Sequence, residues 1–481
     1  MTTHTHRPDP DRTTDHPRPD AQVHLGVFFQ GVNHTTIWSD PASGSQIDFE
    51  SFRHLAQTAE RGLFDAFFLG EGLRLREQQG KLLDLDVAGR PDAITQLSAL
   101  AGITRHLGLV ATQNTTYNEP ADLARRLSSL DLLSEGRAGW NMVTTDNAWT
   151  GENFRRGGFL DHSLRYERAG QFVEAARAIW DGWDHDAVAT GTDAPGWSHA
   201  GALRRARWTG PQFDVDLHPT TPRSRQGHPV LFQAGDSAQG RDFAAKYADV
   251  IFSAHGGDLD DALSFANDVR ARLRAFGRQP DELRILPGAE VVLADTEAEV
   301  EEKLRWVREG QFSGATALSI LGQVWGRDLS HLDPDGPLPA DDPEPAPISV
   351  TRGSAFGLKD PLEIATQWRA LAEARTLSIR QLIIETSARR GWVGTPSAVA
   401  DRLIHYVRSG AIDGLNITPY IVPGGLDDVV DKLVPALQER GAYRTAYTGS
   451  TLREHLDLPP APVRAAHHTD SPLTTAHGGT R

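Results

Sequence analysis

One short pattern constrains this chain more than any other. Arg61-Gly-Leu-Phe-Asp-Ala-Phe-Phe-Leu69 has a glycine, an apolar pair, an aspartate and then an apolar run. Ser409-Gly-Ala-Ile-Asp-Gly-Leu-Asn-Ile417 repeats it, and Lys246-Tyr-Ala-Asp-Val-Ile-Phe252 is a variant without the glycine. Each follows a stretch with helical spacing of apolar residues; before the first, Leu55, Ala59 and Leu63 fall on one face. The glycine reads as a helix C-cap in the left-handed region and the aspartate as the opening of a short loop into a strand. The strand is nearly all apolar, as a strand covered on both faces must be.

Further apolar stretches extend the series: 23–29, 106–112, 137–144, 229–235, 283–293 and 415–420. Helical stretches at 48–62, 120–133, 165–183, 237–247, 258–277, 296–309, 396–409 and 425–440 lie between or beside them. Such alternation requires a parallel sheet with right-handed crossovers. About eight units predict an α/β fold of the closed (β/α)8 TIM barrel type. An open doubly wound sheet is the second choice, weakened because no G-x-G-x-x-G follows the first strand. Residues 184–228 and 311–376 break the repeat and read as loop insertions. The expected organisation is a disordered leader over 1–20, one barrel over 21–447, and a C-terminal extension over 448–481, disordered after about 459.

Composition removes several functions. The chain has 49 basic and 64 acidic residues, a net charge of −15, which argues against general nucleic-acid binding. It has no cysteine, so disulfides, zinc–thiolate sites, iron–sulfur clusters and a cysteine nucleophile are excluded. No apolar run reaches the ~18–20 residues of a membrane span. The leader has no apolar core, so the expected setting is the cytoplasm. No G-x-S-x-G or H-E-x-x-H suggests hydrolysis, and no metal site is expected.

In such barrels chemistry sits where the strands end. Here those ends carry Glu71, Thr112, Asn141 and the run Asn416-Ile-Thr-Pro-Tyr420. Asn141 is the fourth residue of AGWNMVTTDNAWTGENFRRGG, residues 138–158, a strand passing into a long polar segment. Gly235-Asp-Ser-Ala-Gln-Gly240 puts free backbone N–H groups and a hydroxyl at a helix start. That suits one phosphate, and equally suits a plain N-cap by Asp236 or Ser237. Asp236 fits beside a phosphate only if its side chain turns away. His162 and Tyr166 stand at i and i+4 near another helix start. Amides, hydroxyls, one carboxylate and a phosphate clamp suit a cofactor that carries the reactivity itself.

These stretches together are familiar. RAGWNMVTTDNAWTGENFRRGG with HSLRYERAGQFVEAARAIWDGW, and HPVLFQAGDSAQGRDFAAKYADVIF, resemble the bacterial luciferase-like flavin monooxygenases, in particular the nitrilotriacetate monooxygenase component A group. FDAFFLGEGLRLRE and GLNITPYIVPGGLDDVVDKLVPALQERG agree in order, and the resemblance spans about residues 21–456. It implies a barrel binding FMN, with reduced FMN supplied by a separate NAD(P)H:flavin reductase. O2 is the co-substrate, and one oxygen atom passes to a small organic substrate through a C4a-hydroperoxide. A homodimer or homotetramer is the expected assembly.

Carried onto this chain, the resemblance places Thr112 and Asn141 beside the flavin, His162 and Tyr166 near the ribityl phosphate, and Asp236 and Ser237 in the phosphate cradle. Glu71 stands where many members have aspartate, so it contacts the ring or orients its neighbours. His34 and Trp38 fall on the substrate side, with His34 the catalytic candidate; core packing is the other reading of Trp38. Two further functions share the barrel: a deazaflavin (F420)-dependent oxidoreductase, which needs no O2, and a flavin-binding protein without turnover.

Overall fold

In a computed structural model of the chain, the repeating units become parallel strands around one barrel. The structure describes residues 18–29, 33, 35–75, 77–78, 81–82, 89–145, 148–154, 164–188, 197–199, 201–344, 351–352, 360–387 and 391–461. The barrel strands are β1 His24–Phe29, β2 Ala66–Leu69, β3 Gly108–Asn114, β4 Ala138–Val143, β5 Val230–Gln233 and β6 Val250–Ile251. Strand β7 comes in two pieces, Arg284–Ile285 and Gly288–Ala289, and β8 is Gly414–Ile417. Consecutive strands pair in parallel from β1 to β6. The first piece of β7 pairs with β6, the second with β8, and β8 returns to β1. The ring therefore closes. Its one interruption is at Leu286-Pro287, where proline supplies no N–H, although the Pro287 carbonyl still accepts from Asn416 N–H at 2.9 Å.

The helices that cover the strands are α1 Phe49–Arg61, α2 Ala93–Ala101, α3 Pro120–Leu133, α4 Arg165–Trp180, α5 Ala238–Tyr247, α6 Leu259–Ala275, α7 Pro396–Arg408 and α8 Val434–Glu439. Of these, α2 has no counterpart among the expected helical stretches. Among the described residues no helix is long and apolar enough to cross a membrane.

The aspartate of the repeat has a job the spacing alone does not state. Asp65, Asp249 and Asp413 each accept a backbone N–H from the neighbouring strand: Leu25 in β1 at 2.8 Å, Leu231 in β5 at 2.9 Å and Ile285 in β7 at 2.8 Å. Each also meets a guanidinium: Arg444 at 2.6 Å, Arg453 at 2.8 Å and Arg18 at 2.8 Å. Burial opposes their charge, but the cations and N–H donors outweigh it and hold all three carboxyls below the usual range. The repeat is thus a lock between adjacent strands at the N-terminal mouth of the barrel. The glycine differs between copies. Gly410 has φ +79°, as expected, but beside Gly62 it is Leu63 that takes the positive φ, 59°. Gly62 is needed for space: a Cβ there would lie 2.6 Å from Val430 Cγ2.

Two expected boundaries shift. Arg18, placed in the leader, is tied to Asp413. The residues read as the start of a C-terminal extension close the barrel. Thr451 and Glu454 form a capping box, and Leu452, Leu456 and Leu458 pack on Val110, Val230, Val250 and Leu286 inside it. Gly108 admits them, since a Cβ there would meet Leu452 Cδ1 at 2.4 Å.

The insertions carry structure of their own. Within 184–228, Ala206–Thr209 and Asp214–Leu217 form an antiparallel hairpin, and its Phe213 meets Phe172 of α4 edge-on at 5.4 Å. Within and just beyond 311–376, helices Gly314–Trp325, Pro361–Arg375 and Ile379–Ser387 enclose a separate apolar cluster that includes Phe312, Leu321, Trp325 and Ile383.

Candidate functional site

The barrel interior changes character from bottom to top. Leucine and valine fill the lower end. Above them Phe28, Phe68, Phe232 and Phe252 meet, with Phe68 and Phe252 stacked at 6.0 Å and Phe28 edge-on to Phe68 at 5.0 Å. At and above the level of these rings, inward positions turn polar. Thr112 and Asn141 are register partners on β3 and β4. The Asn141 amide donates to Thr112 Oγ1 at 3.0 Å, and its own Oδ1 is buried with no partner. Asn416 Oδ1 on β8 and Thr418 Oγ1 just past it are also buried without partners. So is Thr116 Oγ1, just past β3. Buried polar atoms are nearly always matched, so this set at one mouth points to a bound partner.

The end of β2 joins the end of β3. Asn114 Nδ2 donates to both oxygens of Glu71, at 3.1 Å each. Asn114 is itself fixed, its Oδ1 accepting the N–H groups of Thr116 at 3.0 Å and Tyr117 at 2.6 Å. Desolvation by the surrounding protein raises Glu71 to about 7; the Asn114 hydrogen bonds offset it only partly. Arg90 holds the Glu71 backbone carbonyl at 2.6 Å rather than its carboxylate. The pairing of Asn114 with Glu71 was not expected from sequence. Asn114 does share the face of Thr112, two residues earlier, and that parity was the available signal.

The helix start after β5 carries the expected cap. Ser237 Oγ accepts Gly240 N–H at 3.0 Å, so Ser237 is the N-cap of α5. Asp236 turns away from the helix, its Oδ2 accepting Ala254 N–H at 3.0 Å. The N–H groups of Ala238 and Gln239 have no carbonyl one turn back and remain for an anion. Tyr166, in the first turn of α4, leans over this turn: a Cβ at Gly235 or at Gly240 would sit 3.0 Å from its hydroxyl. Ser237 therefore caps α5 while two N–H groups of its first turn stay unused beside the Tyr166 hydroxyl.

His34 and His162 lie outside the described residues. Trp38 is partly buried, its Nε1–H donating to the Asn33 carbonyl at 3.0 Å. The structure thus brings Glu71, Thr112 and Asn141 to one mouth, and Tyr166, Asp236 and Ser237 to the β5 side of it. A ligand with a phosphate at one end and a flat polar-edged ring at the other fits this donor set, with aromatic rings below and unmatched polar atoms around.

Comparison with known proteins gives the family. The profile of the luciferase-like monooxygenase family matches residues 23–412. The chain is 36% identical to the N-acetyl-S-(2-succino)cysteine monooxygenase of Bacillus subtilis, over 91% of this chain and 97% of that protein. It is 37% identical to nitrilotriacetate monooxygenase component A of Aminobacter aminovorans, over 91% of this chain and 96% of that protein. Among solved structures, a riboflavin lyase bound to modified FMN and riboflavin superposes with a TM-score of 0.74 at 29% identity, covering 92% of this chain and all of that one. The chain belongs to the luciferase-like monooxygenase family.

Proposed function

We propose that this monooxygenase is the oxygenase component of a two-component system, taking reduced FMN from a separate NAD(P)H:flavin reductase and using O2 to oxygenate a small organic substrate. The observation that carries the reading is the set of unused N–H groups at the α5 start, on the β5 side of a mouth of unmatched neutral polar atoms, in a chain of this family. The Aminobacter relative is named as component A, which fits a division of labour between two proteins. A cytoplasmic homodimer or homotetramer suits the same role.

Bound reduced FMN supplies the electrons that activate O2. The chain's residues do the rest. The free N–H groups of α5 and the hydroxyls of Tyr166 and Ser237 would hold the phosphate, the Ser237 oxygen also capping the helix start. Thr112 and Asn141 fix the ring side of the mouth. Glu71, steadied by Asn114, is a carboxyl able to hold or release a proton near neutral pH. The phenylalanines beneath exclude water. His162 acts with Tyr166 at the phosphate, and His34 on the substrate side.

The test is O2 uptake with FMN, NADH and a flavin reductase, over a panel of amines, sulfides, sulfones and alkanes. One substrate should raise product yield with O2 consumption, while the protein alone leaves NADH unoxidised. Rapid NADH oxidation without reductase would overturn the two-component reading. His34→Ala should keep FMN affinity and change the coupling of NADH consumption to product.

A further inference from the structure

The proposed phosphate cradle lies at β5, and strand order puts β5 across the barrel from β1 and its neighbours β8 and β2. A ligand anchored at β5 and crossing the barrel therefore has β1, β2 and β8 within reach of its far end. There the wall is unusual. Asn416 is 5% exposed and sits between two glycines in register, Gly26 on β1 and Gly288 on β7. It uses that space: a Cβ at Gly26 would lie 3.0 Å from Asn416 Oδ1, so the amide projects into the barrel over Gly26. The other glycine makes room for the floor, since a Cβ at Gly288 would lie 2.6 Å from Phe252 Cζ. Two residues on, Thr418 is also 5% exposed. Neither Asn416 Oδ1 nor Thr418 Oγ1 has a partner; Asn416 lies on β8 and Thr418 just past its end, and β8 faces β4, which carries Asn141.

We infer that Asn416 and Thr418 recognise the pyrimidine edge of the flavin ring, Asn416 Oδ1 accepting from the ring N3–H and the Thr418 hydroxyl donating to an adjacent ring carbonyl. The inference rests on the FMN reading above. The chemistry matches: that edge alternates acceptor, donor, acceptor, and a neutral amide beside a hydroxyl supplies the complement. Phe68 and Phe252 form an aromatic base on which a flat ring lies. Gly26 leaves the amide room to reach this edge.

The test compares photoreduced FMN with photoreduced N3-methyl-FMN, both under nitrogen, by titration calorimetry. The methyl group removes the donor and leaves the phosphate untouched. Wild type should bind FMN about 5–20-fold more tightly than the methylated form, the range for a buried acceptor left unmatched. Asn416→Ala should lose affinity for FMN by a similar factor and no longer distinguish the two. Thr418→Val, nearly isosteric, should weaken both ligands equally and keep their ratio. Equal binding of both flavins by wild type overturns the inference, and that measurement stands even if Asn416→Ala does not fold. An Asn416→Ala protein that keeps the wild-type ratio also overturns it. Absence of binding to either flavin by wild type overturns the FMN reading, and the inference with it.

Discussion

Asn114 grips both oxygens of the Glu71 carboxylate across 43 residues of sequence, and no cation meets that carboxylate directly among the described residues. The pair is fixed by hydrogen bonding in a desolvated corner. Its charge state is therefore decided near neutral pH.

A pH dependence follows. Glu71 is raised from 4.5 to about 7, so the folded protein holds a proton there that the unfolded chain has released. That contribution is complete below about pH 4.5 and is lost as pH rises through about 7. Glu71→Gln stays neutral throughout. It should gain about 1–2 kcal/mol over wild type between pH 5 and pH 8.5, discounted for partial solvent access. Urea unfolding of both proteins at the two pH values checks this; parallel curves would show that Glu71 ionises as an ordinary glutamate.

Tyr166→Phe and Ser237→Ala should separate binding from stability. Each is expected to weaken FMN binding about 10–150-fold, the value of one hydrogen bond to a charged phosphate. Only Ser237→Ala should also destabilise, by about 1 kcal/mol, because it removes the α5 N-cap as well. Flavin titration with thermal melts reads both. Unchanged FMN affinity in both variants would move the phosphate away from α5.

The strand lock predicts an acid limb. Asp249 is buried against Arg453, and its carboxyl is held below 3.8. Its stabilisation is present above the unfolded pKa and falls away as pH drops through the folded one. Asp249→Asn strands Arg453 and should cost about 3–5 kcal/mol at pH 7. The gap to wild type should narrow below about pH 4 as wild type loses the same charge. A gap constant from pH 7 to pH 3 would remove the ion pair as its cause.

Leu452→Ala tests the barrel plug. Leu452 is fully buried against Gly108 and Gly139, so truncation leaves a cavity worth about 2–5 kcal/mol. Denaturant midpoints measure it, and a loss below about 1 kcal/mol would show that the lower mouth collapses around the smaller side chain.

The barrel was legible because its strands are apolar runs marked by one recurring punctuation. Helix α2 was not: Ala93–Ala101 spans only nine residues, too few for helical period to stand out in a window of about 11–18 residues. The insertion helices were masked by the Asp- and Pro-rich run beside them. The plug was hidden because it packs with strands over 150 residues earlier; its local signal was the Thr451–Glu454 box. Among site residues, the α5 start could be read from neighbouring residues alone, since its caps and N–H groups are local. Glu71 with Asn114, and Asn416 with Gly26, are pairs made by strand register, which a single sequence does not state.

The plug also sets a clock. Val110, Phe232 and Leu286 are covered from below only when Leu452, Leu456 and Leu458 arrive, and Asp65 and Asp249 find Arg444 and Arg453 in the same late segment. At about 5–20 residues per second, the first strands wait tens of seconds on the ribosome for their floor. A nascent chain cut at residue 440 has every strand of the barrel and an open apolar bore beneath them. Such a chain is a client for chaperones and proteases, so translation must run almost to the end of the fold before any of it is safe.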